Sequence, residues 1–417
     1  MYTTSNHRFG ECYTRAANDM DATSYTDYMY ALVKRVVDEI GPRPPCSDEE
    51  KRLGRLLVEE WRPICDRVDG ETFTCSPHAF LGFVPFSVLL YLAAVIVYWF
   101  YPPVSLAMAA IGVCIPVLEL HYREFVDFLF PRRQGENVIG VIRPGGETSR
   151  RVIVCAHQDS AYEFNFFYYL RSAAIPVALV AVLAMVVLLG ASLAKTVAYF
   201  TGSADATAFA AIGWVTVALS PVVALVAFFH TYRPVPGAAD DMAGLAVVAG
   251  LGKYLDEAKR SGSRVPERTE VVLLATSSEE AGLRGAKRYV TKHLEEMKAT
   301  PTYGLILECV YDERFLTVAH REIFTGAVHD PELVRMAQDV AASHDWPLAV
   351  KAIPVGASDA SAFSAKGISS ICLLGQDTSS VVPNYHTRND TLEYIRPESL
   401  SVALQVAIDM IDRIDRM

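Results

Sequence analysis

The chain has 417 residues, a formal net charge of -10 and a pI near 5.5. An acidic chain with no basic stripe excludes nucleic acid as a partner, because phosphate binding needs clustered Lys and Arg. Hydrophobic residues make up 51% and mean hydropathy is +0.21, high for a soluble enzyme, so the apolar segments are the first thing to place.

The N-terminal stretch MYTTSNHRFGECYTRAANDMD is polar and lacks the apolar core of a signal peptide; no export is expected from it. Residues 26–61 predict helices broken by the loop GPRPPCSDEE, with Ser47 as a cap and Glu50 three residues on. From 79 to 118 there is no Asp, Glu, Lys or Arg. A spanning helix needs about 20 apolar residues, so this run holds two. Pro102 and Pro103 are expected to supply the turn, flanked by Tyr98, Trp99 and Tyr101, whose amphipathic rings favour an interface. Residues 172–194 and 206–229 are also uncharged, with Lys195 and Asp205 bracketing the polar stretch between them. Four buried core helices are the plain alternative, but runs of this length arriving as two hairpins favour a membrane.

The remaining segments alternate. Strands are predicted at 137–142, 151–156, 270–276, 303–307 and 368–374, and helices at 242–259, 286–297 and 397–413. The expectation is an α/β fold, a mostly parallel central sheet flanked by helices, with four transmembrane helices inserted as two hairpins. Residues 1–78 form the N-terminal helical part and 79–120 the first hairpin. Residues 121–171 carry the first strands, 172–230 the second hairpin and 231–417 the rest of the α/β domain. The eight cysteines (Cys12, Cys46, Cys65, Cys75, Cys114, Cys155, Cys309 and Cys372) are scattered without a CxxC pair, which suits a reducing compartment better than a disulfide framework.

Five stretches put acids and histidines where strands are predicted to end, the place where open α/β sheets bind ligands. In VIVCAHQDS an apolar strand ends on His157, with Asp159 two residues on. Imidazole is a common zinc ligand, and a nearby carboxylate fixes its tautomer. In PGAADDMAGLA, Asp240 and Asp241 precede a helix, where Asp also serves simply as a cap. In LLATSSEEAGLRGAKRY, Glu279 and Glu280 follow a strand, with Gly282 and Gly285 permitting tight packing beside them. One of two adjacent carboxylates can bind metal while the other moves a proton; a solvated helix start is the ordinary reading. Glu308 ends the strand of YGLILECVYDE, and His386 in NYHTRNDTLE has Asp390 four residues on. Taken singly, either is ordinary.

Together the five resemble the bacterial leucyl-aminopeptidase type of zinc peptidase, metallopeptidase family twenty-eight, which includes glutamate carboxypeptidases. That family's order is HxD, a Gly-Ala-x-Asp-Asp turn, Glu-Glu-x-Gly-Leu-x-Gly, an acid ending a strand, then Tyr-His with Asp downstream. The segment IGPRPPCSDEEKRLGRLLVEEW is similar to its N-terminal segment, and QGENVIGVIRPGGETSRRVIVCAHQDS to its first strand pair. The resemblance implies two zinc ions, with Co2+ or Mn2+ also suited to the ligand set. Asp240 would bridge them; Glu280 and His386 would complete one and His157 and Glu308 the other. It further implies Glu279 as general base, Asp159 and Asp390 orienting His157 and His386, and a cis Asp240–Asp241 peptide. The chain departs from the pattern at Glu308, where many relatives have Asp. Ala360 follows Ser358 and Asp359 where His is frequent, and Ser278 precedes the Glu pair where Gly is common.

The implied activity is a membrane-bound exopeptidase, an aminopeptidase first, acting on peptides. A single-zinc transferase resembling glutaminyl cyclases and a catalytically inert membrane receptor or scaffold are the alternatives. The full ligand set and the retained base favour the peptidase. A homo-oligomer is left open. Arg123, Arg132, Arg133, Arg171 and Arg233 lie near the membrane ends on the side of the α/β domain. The positive-inside rule therefore puts that domain and both termini in the cytoplasm. Because the second hairpin is inserted between Asp159 and Asp240, the site is expected to work near the bilayer on hydrophobic or membrane-derived peptides.

Overall fold

The computed structural model describes residues 22–203, 207–263 and 265–417. Cys12, Asp205, Ala206 and the polar N-terminal stretch lie outside the described residues. In chain order the elements are α1 (Thr26–Glu39), α2 (Asp48–Trp61), β1 (Arg67–Cys75), α3 (Ala79–Val97), α4 (Pro102–Leu120), β2 (Arg133–Ile142), β3 (Arg150–His157), α5 (Ala174–Thr201) and α6 (Thr207–Val226). They continue with α7 (Ala243–Ser261), β4 (Thr269–Thr276), α8 (Arg284–Ala299), β5 (Thr302–Val310), β6 (Leu316–Glu322), α9 (Pro331–Ser343), β7 (Ala349–Ile353), α10 (Ala360–Ser364), β8 (Ser369–Gly375) and α11 (Pro397–Asp415).

The strands form one sheet in the order β1-β2-β4-β3-β5-β8-β6-β7. The pairs β4–β3, β3–β5, β5–β8 and β6–β7 are parallel; β1–β2, β2–β4 and β8–β6 are antiparallel. This is the expected α/β sheet with a parallel centre. The centre reads as continuous apolar runs because both its faces are covered. Along β3, Val152 and Val154 pack toward α1, α7 and α11, while Ile153 and Cys155 pack with Tyr289 and Val290 of α8. Strands β1, β6 and β7 are additions to the sequence reading. Two are the sheet edges, and their half-exposed sequences RVDGETFTC and AVKAI carry the charge that blunts an edge and hides it from an apolar-run search.

Four helices, α3 to α6, are long and apolar enough to cross a membrane. They pack on one another through Ala94, Ala109 and Ala184, small residues that let backbones approach, and through Leu188 and Val223. Leu89, Ile96, Leu179 and Trp214 face outward and exposed. Two details differ from expectation. Pro102 opens α4 at its first turn, where its missing N–H costs nothing, so the turn is made by the aromatic residues before it. Helix α5 does not stop before Lys195 but runs on to Thr201. Lys195 is buried, with Nζ donating to Tyr98 O at 3.0 Å and lying 4.3 Å from the Tyr98 ring centre.

Candidate metal centre

The sheet order brings the carboxyl ends of β4, β3 and β5 side by side. His157 is the last residue of β3, in register with Thr276 at the end of β4, and Glu308 lies near the end of β5. The loop after β4 carries Glu279 and Glu280. The turn before α7 carries Asp240, and the Asp240–Asp241 peptide is cis. His386 comes from the long loop after β8.

These loops converge on Asp240. His157 Nε2 lies 3.1 Å from Asp240 Oδ1 and 3.7 Å from Glu308 Oε1. His386 Nε2 lies 3.1 Å from Asp240 Oδ2 and 3.3 Å from Glu280 Oε1. The cluster thus has two halves sharing one carboxylate, and all five sequence-predicted ligand residues are in it. Asp240 Oδ2 and Glu280 Oε1 are buried without a hydrogen-bond partner among the described residues. They approach an imidazole nitrogen without hydrogen-bond geometry, which leaves donor atoms aimed at a common space. Three groupings have ligand atoms within 4.8 Å of one another: His157–Asp240–Glu280, which spans the two halves, His157–Asp241–Glu308 and Asp240–Glu308–Cys309. We favour Asp240 over Asp241 because its two oxygens lie 3.1 Å from the two imidazoles, whereas Asp241 Oδ1 accepts from the N–H groups of Gly244 at 3.2 Å and Cys309 at 3.0 Å and only its Oδ2 is without a hydrogen-bond partner among the described residues. Of the two acids, then, Asp241 does the helix-start work and Asp240 faces the histidines.

The electrostatics point the same way. Burial pushes Glu280 up, with the Asp240 charge adding to it. Burial likewise raises Glu308, against the pull of His157. Burial would raise Asp240 too, but its contacts with His157 and His386 hold it well below the usual carboxylate range. His157 is lifted well above ordinary imidazole despite burial, by Asp159, Asp240 and Glu308. Several buried acids facing two imidazoles are costly unless a cation joins them. Imidazole with carboxylate is a donor set that fits a divalent metal such as zinc.

The base candidate sits beside this cluster. Glu279 is 8% exposed, and burial with the Glu308 and Glu280 charges pushes its carboxyl well above its ordinary value, against His157. Its backbone is fixed by Asp159, whose Oδ1 and Oδ2 accept the N–H groups of Glu279 and Glu280, each at 3.0 Å. Asp159 also reaches His157 Nδ1, through its main-chain O at 3.1 Å and its Oδ1 at 3.4 Å. Gly285 packs α8 against this loop, since a Cβ there would lie 2.3 Å from Ser277 O. Ser278, in the place where Gly is common, has φ +59°, a left-handed conformation that Gly adopts without strain.

Some partners were not legible beforehand. Asp390, expected to orient His386, instead accepts from Ala239 N at 2.8 Å and Asp240 N at 3.2 Å, and burial with the Asp240 charge pushes it up to about 8. Glu50 accepts from Cys46 N at 2.7 Å and Ser278 N at 2.8 Å, tying α2 to the Glu279 loop, while Ser47 caps α2 as expected. Arg43 is fully buried and donates to the main-chain O of Gly41, Gln158, Pro236 and Gly237. Its only sequence signal is membership of the IGPRPP segment. Cys155 is fully buried, in contact with Thr276 and Asp359, and burial raises its thiol well above normal, which suits a core residue rather than a nucleophile.

Comparison with known proteins fits this geometry. The model of Peptidase family M28 matches residues 214–411, a span that holds Asp240, Glu279, Glu280, Glu308 and His386 but not His157 or Asp159. No curated protein matches the chain. Among solved structures, the aminopeptidase from Aneurinibacillus sp. strain AM-1 is similar at 15% identity and TM-score 0.57, over 94% of this chain and 95% of that one. A zinc aminopeptidase from Bacillus subtilis is similar at 15% identity and TM-score 0.54, over 93% and 94%. An Acidobacteriales bacterium glutaminyl cyclase is similar at 13% identity and TM-score 0.56, over 96% and 98%. The family match supports a peptidase; at these identities the structural likenesses show the fold.

Proposed function

We propose that the chain is a membrane-embedded metallopeptidase of the M28 type that removes residues from peptide ends, an aminopeptidase first, with two zinc ions. The observation that carries this is the placement of Asp240 between His157 and His386, each with its own further carboxylate, Glu308 and Glu280. His157, Asp240 and Glu308 would hold one ion, and His386, Asp240 and Glu280 the other. What such ions supply is polarisation of the scissile carbonyl and a lowered pKa for the attacking water. Glu279 takes the proton from that water as its oxygen bonds to the carbonyl carbon. Glu279 then gives the proton to the nitrogen as the C–N bond breaks, so one group serves as base and then as acid. Asp159 keeps it aimed by holding its backbone.

The glutaminyl-cyclase-like alternative needs one metal. Here each imidazole has a further carboxylate of its own beside the shared Asp240, which favours two. The test is activity on a panel of peptides with free or blocked N-termini, with and without chelator, alongside a metal count. Chelator-sensitive release of N-terminal residues with two metals per chain supports the proposal; one metal with cyclisation of N-terminal glutamine overturns it. Substrates that reach the site from the bilayer, apolar or membrane-derived, are part of the same reading. Its support is the root of α5 and α6, where the Phe164 ring centre lies 4.4 Å from that of His386. The α/β domain is read as cytoplasmic, on the side of Arg123, Arg132, Arg133, Arg171 and Arg233.

A further inference from the structure

The second apolar hairpin leaves and rejoins the α/β domain beside His386, and its two ends are zipped together. Val235 N donates to Ala161 O at 3.0 Å, Glu163 N to Arg233 O at 2.9 Å, Thr231 N to Glu163 O at 2.9 Å and Phe166 N to Phe229 O at 3.3 Å. This root grips the His386 loop from several directions. Phe164 N donates to His386 O at 2.8 Å. The Phe164 ring lies 4.4 Å from the imidazole and 4.6 Å from Phe229, centre to centre. Tyr385 lies 4.1 Å from the imidazole. Glu163, 1% exposed, accepts from Arg388 N at 3.1 Å and Arg388 Nε at 2.6 Å, and the Arg388 guanidinium sits 4.1 Å from the centre of the Tyr168 ring.

An imidazole that binds metal is normally aimed by a hydrogen bond at its other nitrogen. Here both Asp390 oxygens are occupied by the N–H groups of Ala239 and Asp240, and His386 Nδ1 meets no hydrogen-bond partner among the described residues. His386 also has φ +51°, a conformation a non-glycine residue keeps only where its surroundings over-determine it. Those surroundings are the hairpin root. We infer that the root of the second membrane hairpin aims His386. Glu163 and Arg388 act as positioning residues through the loop backbone, and Phe164 through its ring and N–H. The residues that do this run straight into α5 and out of α6, so the placement of the hairpin and the geometry of one half of the metal centre are mechanically joined. The inference rests on the two-metal reading above.

The experiment is a zinc titration of the full chain in lipid nanodiscs, by equilibrium dialysis with metal counting, on the wild type, Glu163→Gln and Phe164→Leu. Disturbing a group that aims a metal ligand typically weakens metal affinity about 10- to 100-fold. The expected result is that one of the two zinc ions is weakened by that factor in each variant while the other keeps its wild-type affinity. Peptidase activity then returns at saturating zinc. Arg388→Lys, which keeps the charge opposite Glu163, should lie closer to wild type than Arg388→Gln. Phe164→Leu leaves Glu163 paired, so it stands if Glu163→Gln fails to accumulate as folded protein. Unchanged affinity for both ions in the folded variants overturns the inference, and so does equal weakening of both with a lowered Tm. A wild-type chain that binds no zinc removes the two-metal reading itself.

Discussion

The Asp159 carboxylate accepts the main-chain N–H of Glu279 at 3.0 Å, so the acid after β3 sets the position of the acid after β4. Asp159 is fully buried, and its second oxygen takes the N–H of Glu280. One side chain therefore orders the backbone of both the proposed base and a proposed ligand, while also reaching the His157 ring. Buried groups this heavily committed are expensive to disturb, because any loss leaves donors unpaired.

Glu279→Gln keeps shape and volume but cannot take up a proton. The expected outcome is a folded protein that retains its metals and loses activity by about 10²–10⁴-fold, the usual cost of removing a general base. Metal counting on the purified variant checks it. Parallel loss of metal and activity would make Glu279 a ligand instead.

Asp240→Ala should behave differently. Its carboxylate faces both imidazoles at 3.1 Å, so its removal should release both ions as well as activity, reproducing a chelated wild type. A variant still holding two zinc ions per chain would refute its place at the centre.

Gly285→Ala probes the packing of α8 on the Glu279 loop. The new Cβ would meet backbone, Ser277 O at 2.3 Å and Ser277 N at 2.8 Å, as well as Asn137 Oδ1 at 2.4 Å. Backbone cannot swing aside as a flexible side chain can, so a cost of about 1–3 kcal/mol is expected. Thermal unfolding in detergent should show a lowered Tm, and activity should fall with it because the loop must shift. An unchanged Tm would mean that the helix and loop separate freely.

The orientation proposal is checked with a tag at the C-terminus. Inverted membrane vesicles expose the cytoplasmic face, so protease should remove the tag there and spare it in right-side-out vesicles. Protection in inverted vesicles would reverse the assignment. In the same vesicles, apolar peptides dissolved in the lipid should be cleaved faster than polar peptides in solution; equal rates would make the hairpins anchors only.

Much of this protein is written locally. The charge-free runs need no neighbours to be recognised, because a membrane selects by length and apolarity alone. Central strands such as 151–156 were visible because burial on both faces demands unbroken apolar sequence. The five motifs came in a recurring order, so His157, Asp240, Glu280, Glu308 and His386 could be named as candidate ligands before any distance was known, although only His157 and Glu308 lie at strand ends.

What the fold alone decided are relationships between distant segments. Strands β1 and β7 escaped notice because an edge strand is half solvated and takes its identity from the neighbour it pairs with. The sequence offers Asp390 as a partner for His386 four residues away, yet the chain turns so that its carboxylate meets the N–H groups of Ala239 and Asp240 instead. Nothing local relates Glu163 to Arg388, 225 residues apart, or Glu50 to Ser278, 228 residues apart. A single acid in sequence carries no record of which donor it will face, because that partner is chosen by how helices and loops pack. Periodicity and apolar length are properties of a segment; hydrogen-bond satisfaction is a property of the assembled core.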